Sequence, residues 1–223
     1  MDGDAAFEHP GIVSTRAYRD SDRDRCVALS VEAWPEMSAA LPGGAATDFW
    51  GVLFDLAHDY ADWHEVACVD DSIVGFIFGR SVRSSSARES IGFGWRFLSG
   101  MYNVARRSSF ADMIPVFCTC VLSELKIQFK NPSCDSEVAF LVVESGYRGK
   151  GLGKRLLRMF IDHARSNGRR SMSVYTTDPG CNWGFYEALG FKKAIEFDDD
   201  VGTYLEGSPS RGLIFTLDMH AED

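Results

Sequence analysis

The sequence predicts a mixed α/β fold, a central sheet whose strands are joined by hairpins and by one strand–helix–strand unit, with helices on its faces. Three observations carry this. His64 to Val69 and Ile73 to Arg80 are apolar, strand-rich runs separated by Asp70-Asp71, which reads as an antiparallel hairpin. Val138 to Val143 is an extended apolar run that leads into the glycine-dense stretch Arg148-Gly149-Lys150-Gly151-Leu152-Gly153. The amphipathic run Leu152 to Ala164 and a second extended run, Arg169 to Thr176, then complete a βαβ unit.

From the start of the chain, residues 1–10 read as a flexible tail and 11–223 as a single domain, because 223 residues at 45% hydrophobic content bury a substantial core. Ile12 to Tyr18 alternates as a first strand. A helix is expected from near Ser21, where Ser21 and Asp24 have capping-box spacing, to Trp34-Pro35, with a break at Pro42-Gly43-Gly44. Thr47 is expected to cap a second helix reaching about Tyr60, with Phe49, Trp50, Leu53, Phe54 and Leu56 in the core.

The stretch from Ser81 to Asp135 is too long to be a structureless loop in a compact domain. Asp112 followed by Pro115 reads as a helix start, with Val116 to Phe129 as an apolar helix. An earlier helix would carry Trp95-Arg96-Phe97 and Arg106-Arg107. In the helix after Gly151, Leu156, Leu157, Phe160, Ile161 and Ala164 form the apolar face, while Lys154, Arg155, Arg158 and Arg165 take the wet side and Gly168 ends it. Strands are expected after Phe191 as far as Phe197 and from Gly212 to Met219, with Asp198-Asp199-Asp200 as a solvated loop.

The glycine-dense turn is the main functional signal. The first turn of a helix leaves N–H groups unpaired at the positive end of the macrodipole, so it binds anions. Gly149, Gly151 and Gly153 would leave room for a diphosphate and permit positive φ, and Arg148, Lys150 and Lys154 add cationic charge. Two other phosphate loops are excluded. Lys154 is followed by Arg155 rather than Ser or Thr, so this is no P-loop, and the third glycine of a dinucleotide fingerprint is replaced by Lys154.

Arg-x-x-Gly-x-Gly resembles the coenzyme A loop of the GNAT superfamily of acyl-CoA-dependent N-acyltransferases. A second family block, an Asn, a Tyr on a short helix and a Gly-Phe leading into a strand, is matched by Asn182, Tyr186, Gly190 and Phe191. The resemblance implies a mostly antiparallel sheet flanked by helices, with a long insertion, about 81–135, between the third and fourth strands. It also implies acetyl transfer from acetyl-CoA to a primary amine of a small molecule or peptide, by direct attack in a ternary complex. On the same basis, Leu141 and Val143 would pair through their backbone with the pantetheine arm. Arg148, Gly149, Lys150, Gly151, Leu152, Gly153 and Lys154 would hold the diphosphate. Asn182 would touch the coenzyme, and Tyr186 would approach its sulfur. A coenzyme-A-binding sensor or interaction module without transfer is the alternative, since a fold does not guarantee chemistry.

Acetylation needs a neutral amine, and a lysine-like amine with a pKa near ~10.4 is almost wholly protonated at neutral pH. The candidate base is Glu137, which opens the strand before the phosphate loop and by period-two alternation shares a face with Ala139, Leu141 and Val143. Burial there would raise its pKa. Glu144, Asp135 and Glu124 are weaker candidates, and an ordered water could serve instead. The phenol of Tyr186 can hydrogen-bond the departing thiolate.

Composition narrows the partners. A net charge of −9 argues against nucleic acid and is compatible with a cationic acceptor. The six cysteines form no Cys-x-x-Cys pair and have no histidine at ligand spacing, so no metal is expected and the thiols read as reduced. No Gly-x-Ser-x-Gly elbow and no paired histidines occur. The apolar stretch from Met113 to Leu122 is too short to span a bilayer, and no secretory signal is recognised, so a cytoplasmic protein with no membrane partner, and with a homodimer as one option, is expected.

Overall fold

The computed structural model describes residues 13–81, 87–107, 110–178 and 183–220, with backbone alone for 87–94, 110 and 128. Seven strands form one sheet in the order β1-β2-β3-β4-β5-β7-β6. They are β1 Val13–Ala17, β2 Trp63–Val69, β3 Ser72–Arg80, β4 Ser136–Val143, β5 Ser171–Asp178, β6 Lys192–Asp198 and β7 Arg211–Asp218. All neighbours are antiparallel except β4 and β5, which run parallel.

The β2–β3 hairpin closes at Asp70 and Asp71 with φ of 47° and 63°. Two successive positive φ values suit the twist of a tight hairpin, and Asp tolerates them better than most residues. Both faces of β3 are buried: Phe76 and Phe78 turn to one cluster and Val74 and Ile77 to the other. The strand therefore lies at the centre of a two-sided core.

One side of the sheet is covered by α1 Arg23–Ala33, α2 Pro35–Ala40, α3 Ala46–Tyr60, α4 Ala87–Arg107 and α5 Phe110–Lys130. The other carries α6 Leu152–Ser166 and the short α7 Gly184–Glu187. The expected apolar stripe of α6 is buried in full. Gly168 ends the helix at φ 72°, with its N–H on Arg165 O at 2.9 Å and that of Arg169 on Ala164 O at 3.0 Å, a Schellman closure. At Gly79 a Cβ would lie 2.2 Å from the Phe160 ring, so glycine is what lets α6 close on β3.

Several expectations need correction. Ser21 and Asp24 do not form a capping box. Arg23 begins α1, and Asp22 instead accepts the Arg19 N–H at 2.8 Å and a two-pronged contact from Arg16 at 2.6 and 2.9 Å. Thr47 lies inside α3, which begins at Ala46. Pro115 lies within α5 rather than at its start, at the expense of one ladder hydrogen bond. Asp199 is wholly buried rather than solvated. It caps α8, Asp200–Glu206, by accepting the Gly202 N–H and the hydroxyls of Ser123 and Ser210. A carboxylate with three donors stays buried without a counter-ion.

A fifth difference matters for function. Phe78 pairs with Phe140 but Gly79 with Val138, so Ala139 is an extra residue, a β-bulge in β4. Beyond it Phe140 and Val142 face the α3–α5 side, while Leu141 and Val143 face α6 together with Val138. Glu137, adjacent to Val138, therefore shares the α3–α5 side with Ala139 but not with Leu141 and Val143. Simple alternation fails there because the bulge shifts the phase by one residue.

Candidate functional site

The phosphate-loop candidates lie together at the C-terminal end of β4. Gly149 and Gly151 have φ of 73° and 81°, where only glycine is unstrained. A Cβ on Gly149 would meet nothing within 4 Å, and one on Gly153 would only touch Phe185 at 3.5 Å and Val143 at 3.6 Å. The reason for glycine thus differs along the loop: backbone conformation at Gly149 and Gly151, and space outside the chain at Gly153. No side chain caps α6 at Gly151, and its first intrahelical bond is Arg155 N–H to Gly151 O at 2.9 Å. By helix geometry, the N–H groups of Leu152, Gly153 and Lys154 open at the mouth.

The loop cations are exposed but tethered. Arg148 Nε donates to Val143 O at 2.9 Å, and Lys150 Nζ donates to Gly146 O at 2.8 Å and lies 5.6 Å from the Tyr147 ring centre. Lys154 is exposed on the first turn, and the side chain of Leu152 is buried beneath it.

Strands β4 and β5 pair only through Ser136–Val138 and Met172–Val174. From Ala139 onward β4 pairs with β3 alone, and β5 continues against β7 to Asp178. The sheet therefore splits at this parallel pair into a wedge that leads from the mouth of α6 inward. Such splits beyond the carboxyl ends of strands are where α/β sheets take ligands. The half-buried Leu141 and Val143 lie on the β4 side of the wedge. Phe185 of α7 meets the start of α6 near Gly153, and the next residue, Tyr186, is 6% exposed beside Phe191 and Phe215.

The wedge opens into a cavity of about 710 Å3 reached by Glu137–Leu141 of β4, Val174–Thr177 of β5 and Tyr186. Helices α2, α3, α4 and α5 close it. Glu137 is its central acid. The Tyr60 hydroxyl donates to Glu137 Oε2 at 2.8 Å, and the Arg80 guanidinium lies 4.3 Å from the Tyr60 ring centre. Burial raises the Glu137 pKa above the carboxylate norm and the nearby Glu124 adds to this, outweighing the opposing Tyr60 hydrogen bond and Arg80 charge. Burial and the same carboxylate push the Tyr60 phenol up, so it donates rather than ionises.

Of the candidate acids, Glu137 and Glu124 line the cavity. Glu144 instead pairs with Arg25 at 2.8 Å, and Asp135 accepts the Arg170 N–H at 3.1 Å. Asn182 lies outside the described residues.

The resemblance implied that the segment with Phe49, Trp50, Leu53 and Leu56 shapes the acceptor pocket, and these residues do line the cavity; sequence reading missed Tyr60, Arg80, Asn131, Trp34 and Phe140. Tyr60 lies 77 residues from Glu137, and no local pattern reveals such a contact. The one available signal was strand pairing, because Arg80 sits opposite Glu137 in the β3–β4 register. The described residues contain no cluster of three or more His, Cys, Asp or Glu placed to hold a metal, and none of their helices is long and apolar enough to cross a membrane.

Several solved structures share this architecture. PH1933 from Pyrococcus horikoshii superposes with a TM-score of 0.60 at 15% identity, covering 93% of this chain and 98% of that one. A GNAT-family chain from Desulfovibrio desulfuricans gives 0.55 at 14%, covering 93% and 99%. The yncA protein of Salmonella typhimurium, solved with its cofactor acetyl-CoA, gives 0.55 at 15%, covering 94% and 95%. At these identities the likeness shows the fold. No curated protein matches the sequence. The family profile described as acetyltransferase (GNAT) matches residues 26–191, which span the β4–α6 loop, the Glu137 cavity and α7, and the chain therefore belongs to the GNAT acetyltransferase family.

Proposed function

We propose that this enzyme transfers an acetyl group from acetyl-CoA to a primary amine, by direct attack within a ternary complex. The observation that carries the reading is the split between β4 and β5, which joins the uncapped N-terminus of α6 to the cavity around Glu137. The amides of Gly149 to Lys154 would hold the diphosphate, assisted by Arg148, Lys150 and Lys154. Leu141 and Val143 would pair through main-chain groups with the pantetheine arm. The complex of yncA with acetyl-CoA supports this choice of donor.

Glu137, through its carboxylate or an intervening water, accepts a proton from the incoming ammonium and leaves the lone pair that attacks the thioester carbon. A base whose pKa is raised toward the working pH does this better than an ordinary carboxylate. Tyr186 hydrogen-bonds the coenzyme sulfur as the carbon–sulfur bond breaks and negative charge collects there, and the second proton on nitrogen passes to that thiolate or to solvent. Positioning amine and thioester in one cavity lowers the barrier further. The test is coenzyme thiol release in the presence of a panel of amines. Amine-dependent release above background hydrolysis is expected, and a flat response to every amine would leave a coenzyme-binding module instead.

A further inference from the structure

The walls of the cavity narrow the acceptor. Trp34 and Trp50 stack at 4.7 Å with 16° between planes, and Phe140 tiles beside them at 5.8 and 6.4 Å with 23° and 21°. Trp50 is locked from behind, its Nε1 donating to Ser38 Oγ at 2.9 Å in a buried bond. Trp34 and Phe140 are only half-buried, and all three line the cavity. Trp50, 5% exposed, backs this stack, and the half-buried Trp34 and Phe140 present its open ring surface, which favours a ligand with a flat face of its own.

Polar groups are distributed unevenly around this wall. Of the lining acids, Glu124 lies near enough to Glu137 to add to the rise in its pKa that burial causes. The third lining acid, Asp199, is committed to Gly202, Ser123 and Ser210. Leu53, Met37, Phe97 and Ile127 are apolar. The cavity thus offers one carboxylate region for a cation, at Glu137 and Glu124. Asn131 Oδ1, which belongs to a lining residue, is a buried acceptor without a partner, and it calls for an N–H or O–H on the ligand.

Beyond the cavity, α8 is fixed in place. Helix α8, between β6 and β7, packs on both α2 and α5, and Lys126 of α5 holds Asp200 at 2.7 Å.

We infer that the acceptor is a monoamine carried on a flat aromatic body, its ring laid against Trp34 and Phe140, which Trp50 backs, and its ammonium beside Glu137 and Glu124. This rests on the acetyltransferase reading. It ranks ring amines above polyamines and peptide N-termini.

The experiment compares kcat/KM at saturating acetyl-CoA for 2-phenylethylamine, tyramine, tryptamine, n-hexylamine, spermidine and a short peptide. The ring amines should exceed n-hexylamine, which has the reach without the ring, and should exceed spermidine and the peptide by more. Trp34→Leu should lower the ratio of 2-phenylethylamine to n-hexylamine by about three- to tenfold, the worth of one aromatic contact. Binding is read separately, without acetyl-CoA, by ring-amine quenching of tryptophan fluorescence, which Trp34→Leu should weaken. Faster turnover of n-hexylamine, spermidine or peptide overturns the inference while leaving the acetyltransferase reading intact, and so does an unchanged ratio in the variant. Absence of both quenching and turnover with every ring amine overturns it as well. Failure of acetyl-CoA itself to bind instead strikes the acetyltransferase reading.

Discussion

The Tyr60 hydroxyl donates to Glu137 Oε2 at 2.8 Å, joining the last residue of α3 to the second residue of β4 across the cavity. That bond stabilises the carboxylate form, against burial and the Glu124 charge, which favour the neutral acid. The balance sets the pH at which the proposed base becomes active.

Tyr60→Phe removes the hydrogen bond and should push the Glu137 pKa further up. The acidic limb of the kcat/KM profile, where activity falls as Glu137 takes up its proton, should move to higher pH. Arg80, Glu124 and Tyr60 are the charged or titratable groups acting on it, so the same limb should respond to salt. A profile that superposes on wild type would remove Glu137 from the rate.

Glu137→Gln should lower kcat/KM by about 10²- to 10⁴-fold, the usual contribution of a positioned general base. Acetyl-CoA affinity should hold. Stability should move the other way. A carboxyl group whose folded pKa is raised binds more protons folded than unfolded, so stability is lost as pH rises through that window. The variant should therefore melt above wild type at neutral pH, with the gap closing in acid. For a chain of this length each kcal/mol is worth about 2–4 °C.

Tyr186→Phe should reduce turnover more than it alters coenzyme affinity, since the hydroxyl would act on charge that develops late. Its ring already packs among Phe185, Phe191 and Phe215, so the fold should be kept. Equal kcat for variant and wild type would assign the thiolate to water or another residue.

Gly79→Ala tests the architecture rather than the chemistry. A Cβ 2.2 Å from the Phe160 ring must displace α6 from β3, at about 3 kcal/mol for a poorly accommodated insertion. Thermal melting should show a loss of several degrees, and an unchanged Tm would mean that α6 docks differently.

Periodicity and glycine placement revealed the β4–loop–α6–β5 unit, because each of its elements is dictated by neighbours within a few residues. The same local logic found the α6 stripe and the Asp70-Asp71 turn. It failed where the determinant is distant. The bulge at Ala139 arises from pairing with Phe78 and Gly79, some sixty residues away. The burial of Asp199 depends on Ser123 from another helix. The Trp34–Trp50 stack joins the α1–α2 junction to α3, a contact between segments that no local pattern links. Glu137 was proposed from its place at the start of β4 and Tyr186 from the family motif, whereas Tyr60, which hydrogen-bonds Glu137, carries no local mark.

The central claim is that the open amides at the start of α6 hold the coenzyme diphosphate. It is tested most directly by calorimetric titration of acetyl-CoA onto wild type and Gly153→Asp. A side chain at this position meets only ordinary contacts within the protein, from Phe185 and Val143, and the residue lies in regular helix, so the variant should fold and melt like wild type. Its carboxylate, however, would face the diphosphate. The account predicts saturable binding to wild type and an affinity at least about tenfold weaker in the variant, the equivalent of about 1.4 kcal/mol. Equal affinities, or no binding to well-folded wild type, would contradict it.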